Sequence, residues 1–194
     1  MSPAHFITDF ADQAVMLPLA VVIAVGMLAA GWLRGALAWS LVISGMLAVM
    51  LVLKLWAGTC GEAMFGDQLQ SPSGHTASAA AIYGGALSLL LHRTFRGMRM
   101  TLICAMVVAL LVGISRIVIG AHSIIEVAIG AVVGVAAAMI LERTAGPSPK
   151  TIRIVPMAAA AFVTMLVFHG LHLPAEAAIR KARVTWLPFG ICRV

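Results

Sequence analysis

Apolar residues are grouped along the chain into six long stretches, separated by short segments rich in polar residues and glycine. A helix needs roughly 20 mostly apolar residues to cross the hydrocarbon core of a bilayer. The third stretch is the shortest and reaches that length only with its flanks. The predicted spans are Val15–Leu33, Ala36–Ala57, Thr76–Leu91, Met100–Ile119, Ser123–Leu141 and Ile154–Leu171. We therefore predict an all-α fold, a polytopic membrane bundle of about six transmembrane helices within one domain, 1–194.

The composition also indicates a membrane protein. Of the 194 residues, 62% are hydrophobic and only 10% are charged, with a mean hydropathy of +1.05. A soluble domain of this size needs more polar residues to cover its surface, so the composition excludes a separate soluble domain. Gly130 and Gly134 lie four residues apart in the fifth span. Small residues at this spacing let helices approach closely in lipid, and we interpret both glycines as packing positions.

The positive charges predict the orientation of the chain. A net charge of +6 suggests nucleic-acid binding in a soluble protein, but here the cations lie in short loops, where they determine topology. The loops after the third and fifth spans are predicted to be cytoplasmic, so the second and fourth loops face outward. These cations are Arg93, Arg96, Arg99, Arg143, Lys150 and Arg153. We expect a bacterial inner-membrane protein without a nucleic-acid partner, and the oligomeric state stays open.

Five ionisable residues fall where the spans meet the two predicted outer loops. They are Lys54, His75, Arg116, His122 and Glu126. A charged side chain within a span costs about 2.5–3.5 kcal/mol on insertion scales, so each one needs a reason. Taken singly, the lysine fits a snorkelling residue, the arginine a topological anchor, and the last pair an ordinary intrahelical contact. Their convergence on one membrane face favours a shared site instead.

The cations and the helix start suit a phosphoryl group. Lys54 and Arg116 supply positive charge, and arginine offers a bidentate fork to phosphate oxygens. Pro72-Ser73-Gly74 leads into the third span, and the first amide groups of a helix bind anions. Gly74 allows the backbone to come close to a ligand. The pattern therefore predicts a phosphate site.

Two histidines add the groups needed for phosphoryl transfer. His122 and Glu126 are four residues apart and share one helix face. A carboxylate there holds the imidazole Nδ1–H and leaves Nε2 free as a nucleophile. We therefore predict that His122 attacks phosphorus, that Glu126 orients it, and that His75 is the general acid and later the base that activates water.

These residues resemble a known family, the type 2 phosphatidic acid phosphatases. Its second motif, Pro-Ser-Gly-His, is present in full at 72–75, and its third is Ser115-Arg116-x5-His122-x3-Glu126, with Glu in place of Asp. The resemblance implies a helical-bundle phosphatase with its catalytic core over about 54–126, a covalent phosphohistidine and lipid phosphates as substrates. It implies no metal and no cofactor. It also implies a phosphate site formed by Lys54, Ser73, Gly74, Ser115 and Arg116.

The first motif of that family, Lys-x6-Arg-Pro, is incomplete. After Lys54 the chain has Gly61-Glu62 where the family has Arg-Pro. Three interpretations stay open: the site works with one cation fewer, another residue substitutes, or the chain is an inactive relic.

The tail over 172–194 suggests a substitute for the missing cation. It departs from the charge rule, because its cations Arg180, Lys181, Arg183 and Arg193 fall on the predicted outer side. A Cys60–Cys192 disulfide would bring the tail beside Gly61, so that one of these cations replaces the arginine. The alternative is an interfacial segment, with Trp186 and Phe189 among lipid headgroups.

The substrate class follows from the small size of the chain, which favours a site open to lipid in the outer leaflet. The first choice is a polyprenyl pyrophosphate of the undecaprenyl type. Phosphatidylglycerophosphate, phosphatidate and a lipid A phosphate are alternatives. Transfer of the phosphate to a second lipid is equally compatible with the sequence. A small transporter is the non-enzyme alternative, although the internal repeats common in transporters are not found.

Overall fold

The computed structural model describes residues 2–91, 98–149 and 154–186, and every regular element in these ranges is helical. The α-helices are α1 Pro3–Asp9, α2 Gln13–Ala29, α3 Leu33–Trp56, α4 Glu62–Phe65, α5 Gly74–Ala79, α6 Gly85–Leu91, α7 Met98–Val118, α8 Ile124–Ala145, α9 Ile154–Phe168 and α10 Ala175–Trp186. A π-helical turn, Ala57–Gly61, extends α3, and a second, Ala80–Gly84, joins α5 to α6. The all-α prediction is confirmed.

The chain is a membrane protein, but the predicted number of spans is not confirmed. Three helices in the described ranges are long and apolar enough to cross a bilayer: Leu33–Gly61, α7 and α8. A fourth is present if α1 and α2, bent by 42° at their junction, form one span. The third predicted window contains α5 and α6, of 6 and 7 residues, on either side of the π-helical turn. The sixth contains α9, whose 15 residues fall short of the roughly 20 that a span needs.

Close packing of α8 against α5 joins the two halves of the predicted site. A Cβ on Gly130 would lie 2.4 Å from the carbonyl oxygen of Ser73, and one on Gly134 would lie 2.4 Å from that of Ala77. The predicted packing role of both glycines is confirmed. The Ser73 amide also donates to the Glu126 carbonyl oxygen at 2.9 Å. The second and third motifs are therefore in direct backbone contact.

The remaining helices surround this centre. α8 packs against α3, α5 and α7, while α2 lies between α3 and α9. The indole N–H of Trp39, which is fully buried, donates to the Ala20 carbonyl oxygen at 3.0 Å and fixes α3 against α2. The outward faces carry large apolar side chains, among them Leu41 and Val132, which are 72% and 70% exposed. Such a surface suits contact with lipid.

Candidate active site

Four helix ends meet at one end of the bundle and bring together the predicted site residues. These are the end of α3, the start of α5, the end of α7 and the start of α8. A cavity of about 290 Å³ is lined there by Lys54, Arg116, His122 and Glu126. A second cavity, of about 240 Å³, is lined by Lys54, Gly74 and His75. The predicted convergence of these side chains is confirmed.

Lys54 lies between the two cavities. It belongs to the last turn of α3 and is buried, with its ammonium group donating to the Ser71 hydroxyl at 3.0 Å. The same ammonium forms an ion pair with Glu176 of α10. A lysine that merely snorkels would reach bulk water, whereas this one ends in a polar site inside the protein.

Arg116 and His122 are held close by the turn that ends α7. Gly120, at φ 69°, adopts the left-handed conformation that suits glycine. The Ala121 amide donates to the Arg116 carbonyl oxygen at 3.0 Å, and the Gly120 amide donates to that of Ile117 at 2.9 Å. This pair of bonds is a Schellman motif, which places His122 one residue beyond it. The Arg116 Nε is buried and has no hydrogen-bond partner among the described residues, as expected of a donor that awaits an anion.

Glu126 binds His122 and also fixes the neighbouring loop. One carboxylate oxygen, Oε2, lies 2.9 Å from His122 Nδ1 and accepts the Ser123 amide at 3.1 Å. The other, Oε1, accepts the amides of Gln70 and Ser71 at 2.8 and 2.6 Å. The contact expected from the four-residue spacing is present. The two loop amides are partners that the sequence did not reveal.

The environment of His122 favours the neutral imidazole. Burial lowers the pKa of His122 below its ordinary value of 6.5, and the positive charges of Arg116 and Lys54 lower it further. These effects outweigh the hydrogen bond and the charge of Glu126, which raise the pKa. A neutral ring with Nδ1–H donated to Glu126 carries its lone pair on Nε2, which a nucleophile requires.

His75 has an acidic partner that sequence reasoning missed. Its Nε2 lies 3.5 Å from an Asp12 carboxylate oxygen. The other oxygen of Asp12 accepts the Ala14 amide at 2.8 Å, which caps α2, and the Leu173 amide at 3.1 Å. Asp12 lies just before the first predicted span, on the side of the outer loops. This position is the feature of the sequence that could have indicated its contact with His75.

Two predicted phosphate ligands use their hydroxyls elsewhere. The Ser73 hydroxyl is fully buried, caps α5 by accepting the Thr76 amide, and lies 2.9 Å from the Thr76 hydroxyl. The Ser115 hydroxyl donates to the Val112 carbonyl oxygen at 2.7 Å and contacts Thr8. Both hydroxyls thus support the helices, and their binding of a phosphate stays a prediction. A Cβ on Gly74 would lie 3.3 Å from the Lys54 side chain, so the glycine leaves room for that side chain, and its approach to a ligand stays a prediction.

The tail forms α10, which contributes to the site in an unexpected way. Glu176 contacts Lys54 and accepts a hydrogen bond from the Ser71 hydroxyl at 3.1 Å. Burial raises the pKa of Glu176, but the charge and hydrogen bond of Lys54 and the Ser71 bond together bring it below its ordinary 4.5, so it is anionic. Arg180 lines the cavity with His122. The side chain of Arg183 and the residues Phe189 and Arg193 lie outside the described part of the chain.

The position of the missing arginine cannot hold a side chain. A Cβ on Gly61 would lie 2.1 Å from the Leu69 carbonyl oxygen. Cys60, beside it, is disulfide-bonded, while Cys104 is a free thiol. Cys192 lies outside the described residues, so its pairing with Cys60 stays a prediction, to be checked by a non-reducing mass shift of a Cys60–Cys192 peptide.

The comparison with known families agrees with the motifs. A family model described as the PAP2 superfamily matches residues 19–147, more than half of the chain and all of the motif residues. No curated protein and no solved structure matches the chain. The chain therefore belongs to the PAP2 superfamily, a family of phosphatases.

Proposed function

We propose that this protein hydrolyses a lipid phosphate through a phosphohistidine on His122, without a metal. The single observation that carries the proposal is the His122–Glu126 pair in a cavity that also contains Lys54 and Arg116. A nucleophile, the carboxylate that orients it and two cations are the groups that phosphoryl transfer needs.

In the first step the Nε2 lone pair of His122 attacks phosphorus, and the bond from phosphorus to the leaving oxygen breaks. Lys54 and Arg116 stabilise the charge on the equatorial oxygens. His75 donates a proton to the leaving oxygen. In the second step His75 takes a proton from water, and the water oxygen attacks phosphorus. The bond from phosphorus to Nε2 breaks, its electron pair returns to His122, and inorganic phosphate is released. The imidazolium-like character of the intermediate is balanced by Glu126.

The cavity beside His75 supports a lipid as the leaving group. Its lining includes the apolar side chains of Leu17, Leu47, Met50 and Leu51 from α2 and α3. The acid must lie next to the oxygen that departs. In a phosphate monoester of a lipid this oxygen carries the apolar chain, and in a polyprenyl pyrophosphate it carries the second phosphate, to which the chain is attached. An apolar cavity on the His75 side of Lys54 therefore suits that chain.

Within the lipids, we propose a polyprenyl pyrophosphate in the outer leaflet of a bacterial inner membrane. Phosphatidylglycerophosphate, phosphatidate and lipid A phosphates are the alternatives. The experiment is a phosphate-release assay of the purified protein over this panel, in EDTA, with His122→Ala as the control. Release that needs His122, persists in EDTA and is inhibited by vanadate supports the proposal. Loss of activity in EDTA, or activity in His122→Ala, contradicts it.

A lipid phosphotransferase uses the same first step and differs only in the acceptor. Release of inorganic phosphate from a single purified lipid distinguishes hydrolysis from transfer. The four-donor arrangement around Glu126 favours either enzyme over a transporter. A carboxylate that orients a histidine is needed when the histidine acts as a nucleophile or base, whereas a translocation pathway does not require it.

A further inference from the structure

α10 lies beyond the family match at 19–147, yet it lines the phosphate cavity. Glu176 and Arg180 are four residues apart and therefore share one helix face. Both side chains line the cavity that contains Arg116 and His122. One helix of the tail thus presents an anion and a cation to the same site.

Glu176 occupies the position that suits a phosphate. One carboxylate oxygen contacts the Lys54 ammonium, and the other accepts from the Ser71 hydroxyl. Glu176 and Lys54 both line each of the two cavities, the one that contains His122 and the one that contains His75. A phosphate that Lys54 holds during transfer from a leaving group near His75 to His122 therefore needs the contact that Glu176 now makes.

The ion pair between Lys54 and Glu176 can be broken by movement of Glu176 into solvent. The Glu176 side chain is 43% exposed, whereas that of Lys54 is 6% exposed. Withdrawal of Glu176 would leave the buried ammonium without a charged partner, which is costly unless another anion replaces it. A phosphate monoester carries nearly two negative charges where a carboxylate carries one, and can take its place.

The site also lacks the cation that the family has at position 61. The Leu69 carbonyl oxygen fills the space where a side chain on Gly61 would begin, so the charge must come from elsewhere. Arg180 is exposed on α10 and faces the same cavity. Its guanidinium can reach phosphate oxygens bidentately, as the missing arginine would.

We infer, on the basis of the proposed phosphatase function, that α10 completes the phosphate site. The entering phosphate displaces Glu176 from Lys54, and Arg180 then binds the phosphate as the third cation beside Lys54 and Arg116. Glu176 therefore competes with phosphate for Lys54, and Arg180 is a substrate-binding residue of the tail.

The test measures binding of inorganic phosphate to the full chain carrying His122→Ala, which cannot turn over. In this background Glu176→Gln removes the competitor and is expected to lower the Kd by about tenfold. Arg180→Ala is expected to raise the Kd by about tenfold, and Arg180→Lys should restore part of the binding. Lys181→Ala is the matched control, because Lys181 is an exposed neighbour of Arg180 and its replacement also removes one positive charge from α10. We expect its Kd to change by less than about twofold. Unfolding temperatures in detergent verify that each variant is folded.

An unchanged or higher Kd in Glu176→Gln overturns displacement, and an Arg180→Ala value equal to that of Lys181→Ala overturns the third cation. Both results differ from a failure of the proposed function. In that case the protein with native His122 releases no phosphate from any lipid, while the phosphate-binding series can still be measured. Lipid hydrolysis that depends on His122, together with flat binding across the α10 variants, refutes this inference alone.

Discussion

Replacing Glu126 with Gln tests the proposed mechanism most directly. The carboxylate accepts four donors, the ring N–H of His122 and the amides of Gln70, Ser71 and Ser123. The amide of glutamine has one oxygen, so it can satisfy the Gln70 and Ser71 amides or face His122, but not both. If its oxygen still accepts the two loop amides, its NH₂ group faces Nδ1 of His122. The imidazole must then adopt the tautomer in which Nδ1 accepts a hydrogen bond and Nε2 carries the proton. The lone pair on Nε2 is then lost.

The size of the effect follows from this choice. The corresponding change in a serine protease triad lowers kcat by about 10⁴, and we expect a loss of similar order for Glu126→Gln. The stability should fall by about 1.5–3 kcal/mol, because a hydrogen bond to a charged group is lost. Phosphate release from a lipid substrate and thermal unfolding in detergent measure the two effects.

Ser123→Ala is the control for the structural part. The Ser123 hydroxyl accepts the Glu126 amide at 3.2 Å, which completes the cap of α8, and donates to the Gln68 carbonyl oxygen at 2.5 Å, so it supports the helix and the loop and holds the imidazole by neither bond. We expect a loss of about 1 kcal/mol of stability with only a small change in rate. If Glu126→Gln stays within about tenfold of the native rate, the orienting role is refuted and the carboxylate only anchors the loop.

Three further predictions address the acid, the titration and the packing. His75→Ala should lose lipid hydrolysis but still release one equivalent of p-nitrophenol from p-nitrophenyl phosphate, because that leaving group needs no proton while the second step still needs His75 as base; absence of this burst would contradict the role of acid. Because burial lowers the pKa of His122, the acid limb of the kcat/KM profile, where this ring becomes protonated, should lie below pH 6.5, and an acid limb above 6.5 would show that another group controls it. Gly130→Ala places a methyl group against α5 and should lower stability by about 1–3 kcal/mol in thermal unfolding. Gly45→Ala, with nothing within 4 Å of its Cβ, should not.

Much of the site could be predicted from the sequence because its parts are local. The contact between His122 and Glu126 follows from a four-residue spacing on one helix. The meeting of Lys54, His75 and Arg116 follows from the alternating direction of successive spans. This alternation places every second loop, with the helix ends on either side of it, at the same face. Neither inference needs any knowledge of side-chain packing.

The parts that could not be predicted depend on contacts distant in sequence. Glu176 is 122 residues from Lys54, and Asp12 precedes His75 by a whole helical hairpin. No spacing rule connects such pairs. The six predicted spans are not confirmed for a related reason, since a hydropathy window does not detect that the π-helical turn at Ala80–Gly84 interrupts the third stretch.

The two departures from the family motifs are structurally connected, and this connection gives a last prediction. Glycine at position 61 lets the Leu69 carbonyl oxygen approach to where a Cβ would be, which brings the following amides of Gln70 and Ser71 towards α8. The longer side chain of Glu126, where the family has Asp, reaches those amides and His122 at once.

A double-mutant cycle tests whether this connection matters for function. Gly61→Ala should push the loop away, and Glu126→Asp should shorten the reach to it, so each variant alone loses the loop contacts. Because both changes remove the same contacts, their combined loss of stability should be smaller than the sum of the single losses by about 0.5 kcal/mol or more. The single losses come from thermal unfolding in detergent, and Gly45→Ala combined with Glu126→Asp provides the additive reference. Strict additivity of Gly61→Ala and Glu126→Asp would mean that the loop and the carboxylate act independently, and that the two departures arose for unrelated reasons.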